Sequence, residues 1–336
     1  MNIKLLHSYD DIICLDNLYL AWQDFVVGKR NKFDVQQFDL DLITNIDSLH
    51  SDLVFKTYSH GGYYSFYIND PKRRHIHKAD VRDRLLHHAI YRLLYPFFEK
   101  TFISDSYSCR IGKGVYKAID NFYVKSYKVS KNNTKSCWVL KCDIRKFFAS
   151  IDHGILLDIL DEYIPDKNIV GLLADVIDSY HNESTHGIGL PLGNLTSQLF
   201  ANIYMNVFDQ WVKHKLKARH YIRYADDFVI ISDDREWLEG VIDEIRDFLF
   251  GRLNLSLHPT KIYLKTLESG VDFLGWILFP KYRLLRKKTK QRMFEKLLND
   301  PTPEVVHSYL GLLVHGNTYD IQRDLLNCCW QYAKDY

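Results

Sequence analysis

The stretch Tyr221-Ile-Arg-Tyr-Ala-Asp-Asp-Phe-Val-Ile-Ile-Ser232 decides the fold. Tyr221 to Tyr224 and Phe228 to Ser232 are dominated by β-branched and aromatic side chains, which suit a pleated, partly buried surface. Between them, Ala225, Asp226 and Asp227 have the chemistry of a tight turn, because Asp bonds to nearby backbone and tolerates turn geometry. The expected structure is a hairpin with two carboxylates at its tip. An Asp pair in a turn carries no function by itself. These arms, however, are too apolar for a surface ornament, and they predict a pair held rigidly against a neighbouring strand.

That neighbour is legible upstream. From Ser136 to Asp143, Trp138, Leu140 and Cys142 alternate with Val139, Lys141 and Asp143, so a strand ends on a carboxylate. A helix is expected from about Asp152, carrying Ile155, Leu156, Ile159, Leu160 and Tyr163. Leu199, Ile203, Val207 and Trp211 recur every four residues, with Asn194 or Thr196 as N-cap. Val81 to Phe98 reads as a helix, Tyr63 to Ile68 as a strand and residues 16–56 as helices. From Leu285 onward strand signals are weak, and a basic helical appendage is expected. Together these elements give an α+β fold on an antiparallel sheet.

Composition bounds the function. With 336 residues there is room for about two compact units or one elaborated enzyme, and 46% hydrophobic against 26% charged residues excludes a disordered chain. The cysteines at 14, 109, 137, 142, 328 and 329 form no CxxC and no zinc-like spacing, so reduced core thiols in a cytosolic protein are expected. Cys137 and Cys142 are an odd number of positions apart and would face opposite sides of one strand. No apolar run approaches the roughly 20 residues that span a bilayer, and the first residues lack a signal-peptide core. The expectation is a cytoplasmic protein without a membrane partner. A net charge of +2 hides three basic clusters, Lys72 to Lys78, Lys213 to Arg219 and Lys281 to Arg292. One such cluster reads as solvated surface, whereas three together lean towards nucleic acid.

Asp143, Asp226 and Asp227 are therefore candidates for a shared site. An enzyme that joins a 3′ hydroxyl to a nucleoside triphosphate needs one metal to activate the hydroxyl and a second to stabilise the leaving pyrophosphate. Acidic ligands must then converge, and hard oxygen donors suit magnesium.

At this point a resemblance can be stated. Tyr224-Ala-Asp-Asp227 resembles the YxDD signature of reverse transcriptases, and Leu140-Lys-Cys-Asp-Ile-Arg-Lys-Phe-Phe-Ala-Ser-Ile-Asp-His153 is similar to the family's first catalytic segment. Similar blocks run in order across residues 60–280. The resemblance implies a right-hand polymerase fold with an antiparallel palm sheet, fingers and a helical thumb. The expected divisions are a helical extension (1–56), fingers (57–135), palm (136–280) and basic thumb (281–336). It also implies a two-magnesium site at Asp143, Asp226 and Asp227, with the Ile144 carbonyl as a further ligand.

Other roles are carried over by position. Phe148 falls where the family keeps an aromatic gate against a 2′ hydroxyl; the alternative is a core Phe beside Phe147. Gly189-Leu-Pro-Leu-Gly-Asn-Leu-Thr-Ser-Gln198 resembles the block that contacts template and nucleotide, which implicates Leu192, Gly193, Asn194 and Gln198. Arg110 and Lys113, in Phe102 to Ile119, match residues that hold the triphosphate; for Arg110 the alternative is a structural salt bridge. Lys72 and Arg74, following Asp70 and Pro71, match the other fingers strand. Lys261 matches a lysine near the leaving pyrophosphate, with solvated surface as its alternative. Val271 to Trp276 resembles the primer grip, so Gly275 and Trp276 would meet the primer, or Trp276 would anchor the thumb. The Lys281–Arg292 run would track the phosphates of the template–primer duplex.

Most relatives, including group II intron and retron enzymes, carry Gln at the position of Leu192 and Pro at that of Gln198. The departures, together with Phe102–Ile119 and His307-Ser-Tyr-Leu-Gly-Leu-Leu-Val-His-Gly-Asn-Thr-Tyr319, resemble the enzymes of diversity-generating retroelements. These copy a template repeat RNA with frequent errors opposite adenine. The implied partners are template RNA, a DNA or cDNA primer, deoxynucleoside triphosphates and a small, basic, oligomeric accessory variability protein. A retron or antiphage-defence reverse transcriptase is the nearest alternative. A non-catalytic RNA-binding scaffold is the alternative from another class.

Overall fold

A computed structural model of the chain describes residues 3–69, 72–182 and 185–332, with side chains to residue 327. Asp70, Pro71 and the side chains of Cys328 and Cys329 lie outside the described residues.

Four helices come first, α1 (Tyr9–Ile13), α2 (Leu15–Val26), α3 (Phe33–Leu40) and α4 (Leu42–Val54). The helical reading of 16–56 thus breaks after Val26, where Gly28 takes a φ of +69°, and again at Asp41. An antiparallel hairpin of β1 (Tyr63–Ile68) and β2 (Arg74–Ala79) follows, then α5 (Val81–Glu99) and α6 (Val115–Val129). Next come β3 (Trp138–Asp143), α7 (His153–Tyr163), α8 (Lys167–Asp178), α9 (Leu195–His214), β4 (Tyr221–Tyr224), β5 (Asp227–Ser232), α10 (Arg235–Leu253) and β6 (Tyr263–Thr266). Strands β7 (Val271–Phe273), β8 (Trp276–Leu278) and β9 (Arg283–Leu285) precede α11 (Lys287–Asn299), α12 (Pro303–Leu313) and α13 (Tyr319–Tyr332).

The central sheet has the order β4-β5-β3-β6, with every pairing antiparallel. Its parity sorts two cores. Leu140, Cys142, Tyr221, Phe228 and Ile230 pack into a large cluster with α5, α7, α9 and α10, whereas Cys137, Val139, Ile222, Val229 and Ile231 pack into a second one with α6 and the C-terminal elements. A strand covered on both faces reads as a continuous apolar run, which explains Phe228 to Ile231. Cys137 and Cys142 are accordingly buried on opposite sides. The core-thiol account does not extend to Cys109, which is exposed on a turn with φ +53°.

The three-stranded sheet β7-β8-β9 carries the C-terminal helices. Gly316, between α12 and α13, lies so close to the Trp276 indole that a Cβ would come within 2.1 Å of the ring. Among the described residues no helix is long and apolar enough to cross a membrane.

Candidate active site

Sheet register builds the site. Asp143 at the end of β3 faces Asp227 at the start of β5, and Asp226 occupies the turn between β4 and β5. That turn is tight enough to force Ala225 to φ +53°. Two loop contacts hold it against β3: the Ile144 amide donates to the Asp226 carbonyl at 3.1 Å, and the His258 amide donates to the Asp143 carbonyl at 2.7 Å. The carboxylates therefore sit on backbone that three elements fix.

Their electrostatics are strained in one direction. Burial raises the Asp226 pKa, and the Asp143 charge raises it further. Burial also pushes Asp227 up to about 7, with the neighbouring carboxylates adding to the shift and Lys141 opposing it. Two lysines supply positive charge. Lys261 Nζ lies 3.0 Å from both oxygens of Asp143, and Lys141 Nζ lies 3.2 Å from Asp227 Oδ2 while donating to the Asp272 carbonyl at 2.9 Å. Asp227 Oδ1 is buried without a hydrogen-bond partner.

Among the described residues no three His, Cys, Asp or Glu side chains converge as a ready-made metal cage. Asp143 is paired to Lys261 and Asp227 to Lys141. The donor set still fits a divalent cation of the hard kind. It consists of carboxylate oxygens that repel one another, one of them unsatisfied, in partial burial where a counter-charge acts strongly.

Beneath the turn lies a feature that sequence reasoning missed. Arg223 in β4 makes a two-pronged contact with Asp209 of α9, Nε to Oδ1 at 2.8 Å and Nη2 to Oδ2 at 2.7 Å. The Tyr221 hydroxyl also donates to Asp209 Oδ1, at 2.7 Å, and Arg223 Nη1 donates to the Ala225 carbonyl at 3.1 Å. This pair props the strained turn from below. The available signal was an arginine inside an otherwise apolar strand. Lys141 was also missed, although it shares strand parity with Asp143.

The other sequence-derived candidates divide into those near the carboxylates and those engaged elsewhere. Phe147 is buried in the large core, while Phe148 is half-buried and meets it edge-on at 5.4 Å. Of the pair, Phe147 is the core ring. Lys72 and Arg74 are exposed, and their charges reach Asp226 and Tyr224 respectively.

The close approach that Gly193 permits is to the protein's own hairpin. At φ +112°, a Cβ there would lie 2.8 Å from Ile76 Cγ2. The His77 amide donates to the Leu192 carbonyl at 2.9 Å, and the Asn194 side chain donates to the His77 carbonyl at 2.8 Å and accepts from the Ala79 amide at 3.2 Å. Asn194 thus starts α9 without a side-chain cap bond and fastens β2 instead. Leu192 is half-buried beside this junction, and Gln198 is half-buried in the first turn of α9.

Arg110 adopts the structural alternative. Its guanidinium donates to Glu99, to the carbonyls of Ile103 and Ser106, and to the Ser106 hydroxyl, and only 4% of the side chain is exposed. With those donors engaged, it braces the 102–113 loop and does not present a free fork to a triphosphate. Lys113 likewise donates to the Ser104 carbonyl at 2.8 Å. Trp276 is buried beneath Gly316, whereas Gly275, at φ +92° in the β7–β8 turn, has open space around it.

Residues 69–278 match the family model described as reverse transcriptase (RNA-dependent DNA polymerase). Among curated proteins the chain is similar to protein YkfC of Escherichia coli K12, with 28% identity over 246 residues that cover 62% of each. It is also similar to the retron Ec73 reverse transcriptase of Escherichia coli, with 25% identity over 236 residues that cover 66% of this chain and 69% of that protein. The chain thus spans less than two thirds of the length of YkfC. A solved structure of apo telomerase from Candida tropicalis, truncated from its C-terminal domain, superposes with a TM-score of 0.50 at 12% identity, covering 73% of this chain and 60% of the other. That likeness is one of fold, the right-hand polymerase architecture.

Proposed function

Because the chain belongs to the reverse transcriptase (RNA-dependent DNA polymerase) family, we propose that it copies RNA into DNA at Asp143, Asp226 and Asp227. The observation that carries this reading is the cluster itself, Asp143 and Asp227 set opposite each other by sheet register with Asp226 in the adjoining turn, the carboxylates repelling one another and Asp143 and Asp227 each facing one lysine. When bound there, a pair of magnesium ions supplies Lewis acidity at the attacking and leaving oxygens. Asp143, Asp226 and Asp227 hold that charge, with the Ile144 carbonyl beside them. Lys261, released from Asp143, stands next to the leaving pyrophosphate and neutralises it. Phe148 presents its half-exposed edge to the sugar and excludes a 2′ hydroxyl. Lys72 and Arg74 on the exposed hairpin face the incoming nucleotide or template. In this reading residues 57–135 act as fingers, 136–280 as palm and 281–336 as thumb, with 1–56 as an added helical layer.

The subtype favoured is the diversity-generating one, and Leu192 supports it. An apolar side chain at this position offers only non-directional contact, where Gln would reward one geometry of the nascent pair. A lost hydrogen bond of about 1.4 kcal/mol changes an error ratio roughly tenfold. A small basic accessory protein and a specific template repeat RNA belong to the same reading. The test is magnesium-dependent incorporation on a primed RNA, followed by sequencing of the cDNA from wild type and Leu192→Gln. An excess of errors at template adenine that Leu192→Gln reduces is expected. A uniform error spectrum in wild type points to the retron-like alternative, and RNA binding without incorporation to the scaffold.

A further inference from the structure

The cavity of about 410 Å³ between α6, the β8–β9 turn and the α12–α13 turn has none of the three aspartates in its lining, and it takes in only the first cations of the Lys281–Arg292 run. Its size falls in the range that holds a small ligand. Cations and aromatic rings line it together. Lys281, Arg283 and Asp120 line it, with Tyr123 and Tyr282 beside them. The walls are braced. The Tyr123 hydroxyl donates to the Tyr282 carbonyl at 2.8 Å, the Tyr282 ring stacks on Phe279 with centroids 4.7 Å apart, and the Asn317 amide donates to the Arg283 carbonyl at 3.0 Å.

One polar atom in this lining is unsatisfied. Arg283 Nε donates to the His315 carbonyl, which fixes the guanidinium, but Nη1 is buried without a hydrogen-bond partner. Its counter-charge, Asp120, stands 3.6 Å away with its side chain 68% exposed. A guanidinium fixed through Nε, whose Nη1 has only the distant Asp120 as counter-charge, next to an exposed lysine gives the positive charge that one phosphate requires. Aromatic rings beside a phosphate donor are what single-stranded nucleic acid uses, with charge tracking the backbone and rings taking the bases.

We propose that this cavity is a second nucleic-acid site, which takes one nucleotide unit of a single-stranded RNA, phosphate against Lys281 and Arg283 and base against Tyr282. A free nucleoside monophosphate presents the same chemistry, and the experiment separates the two sources. The site would hold RNA outside the catalytic groove, so its occupancy is measurable without catalysis.

The measurement is binding of a fluorescent single-stranded oligoribonucleotide to the full chain while an unlabelled primer–template duplex saturates the groove, repeated over a range of salt. Tyr282→Ala removes the ring and is expected to weaken binding about tenfold with no change in salt slope. Lys281→Ala is expected to reduce the slope of log affinity against log salt by about 0.7, the signature of one lost single-strand phosphate contact. Val314→Trp places a large ring at an exposed wall residue and blocks the cavity without touching its cations, which guards against misfolding of the first variant. Adenosine monophosphate is added as competitor. Competition at micromolar concentration assigns the site to free nucleotide, and competition only by RNA assigns it to a strand. If Val314→Trp and Tyr282→Ala both bind the oligonucleotide as wild type does, or if an acidic peptide displaces it more effectively than RNA does, the proposal is overturned.

Discussion

Below the Ala225 turn, Arg223 and Asp209 are 1% and 0% exposed, doubly bonded, and surrounded by Tyr221, Asn202 and the Ala225 carbonyl. Above it, Lys261 and Asp143 are 38% and 18% exposed and meet through one ammonium. Both are acid–base contacts at hydrogen-bond distance, and both lie next to the same two aspartates. They differ in what can replace the partner. The lower pair is closed, because its desolvated charges are ringed by neutral partners only and breaking it strands a buried ion. The upper pair is open to water, so the lysine can leave when a stronger cation or a polyanion arrives. Ion pairs of the first kind build a floor, and those of the second kind keep a site in readiness.

The largest expected effect breaks this comparison from the upper side. Asp226→Asn removes a carboxylate that is already under repulsion, so metal-dependent cDNA synthesis should fall by about a thousandfold or more while the melting temperature stays within a few degrees of wild type. The matching break from below, Asp209→Ala, should destabilise the fold by about 3–5 kcal/mol in denaturant titration, because Arg223 is left buried and unpaired. If Asp209→Ala instead unfolds like wild type, the floor has been misassigned. Replacing both members, Asp209→Leu with Arg223→Met, should recover part of that loss.

A second pair sharpens the distinction between support and site. Phe147→Ala should cost about 3–5 kcal/mol, as a buried ring does, with nucleotide preference retained in the folded fraction. Phe148→Ala should cost clearly less, and should admit ribonucleotides at least tenfold better in paired competition. Equal stability losses, or an unchanged sugar preference for Phe148→Ala, would assign both rings to the core. The smallest effect concerns Lys261→Met. Its half-open pair should contribute under about 1 kcal/mol to stability without metal, and its removal should enlarge the thermal shift caused by magnesium. A smaller shift than wild type would mean that Lys261 helps to assemble the site and does not compete for it.

Much of this architecture is local enough to be read from the chain. The acidic hairpin and the strand ending at Asp143 carry their own periodicity and turn chemistry, and the structure places a strand over Trp138–Asp143 and a hairpin around Ala225. What was not legible depends on distant partners. An arginine in Tyr-Ile-Arg-Tyr predicts burial only once Asp209, on another element, is known to face it. That Gly193 and Asn194 also fasten a hairpin 115 residues earlier in the chain could not be read from their own segment. Arg110 has the chemistry of a phosphate clamp, and only the placement of Glu99 and of the Ile103 and Ser106 carbonyls shows its donors engaged. Lys141 was accessible in principle, because strand parity puts it on the face of Asp143. Its link to Asp272, from the next sheet, was not.

The contact between Gly316 and Trp276 works as a spacer of zero thickness. Even a methyl group at 316 would overlap the indole, so alanine there must lift the α12–α13 turn off β8. The lift would not stay local, because the Asn317 amide is bonded to the Arg283 carbonyl and α11, with its lysines, follows directly from that strand. The distance between the α12–α13 turn and the three-stranded sheet is therefore calibrated at one missing side chain. A series of substitutions at 316, from Ala to Ser to Val, would act as shims of increasing height, lifting the α12–α13 turn off β8 by steps while leaving every residue of the carboxylate cluster in place.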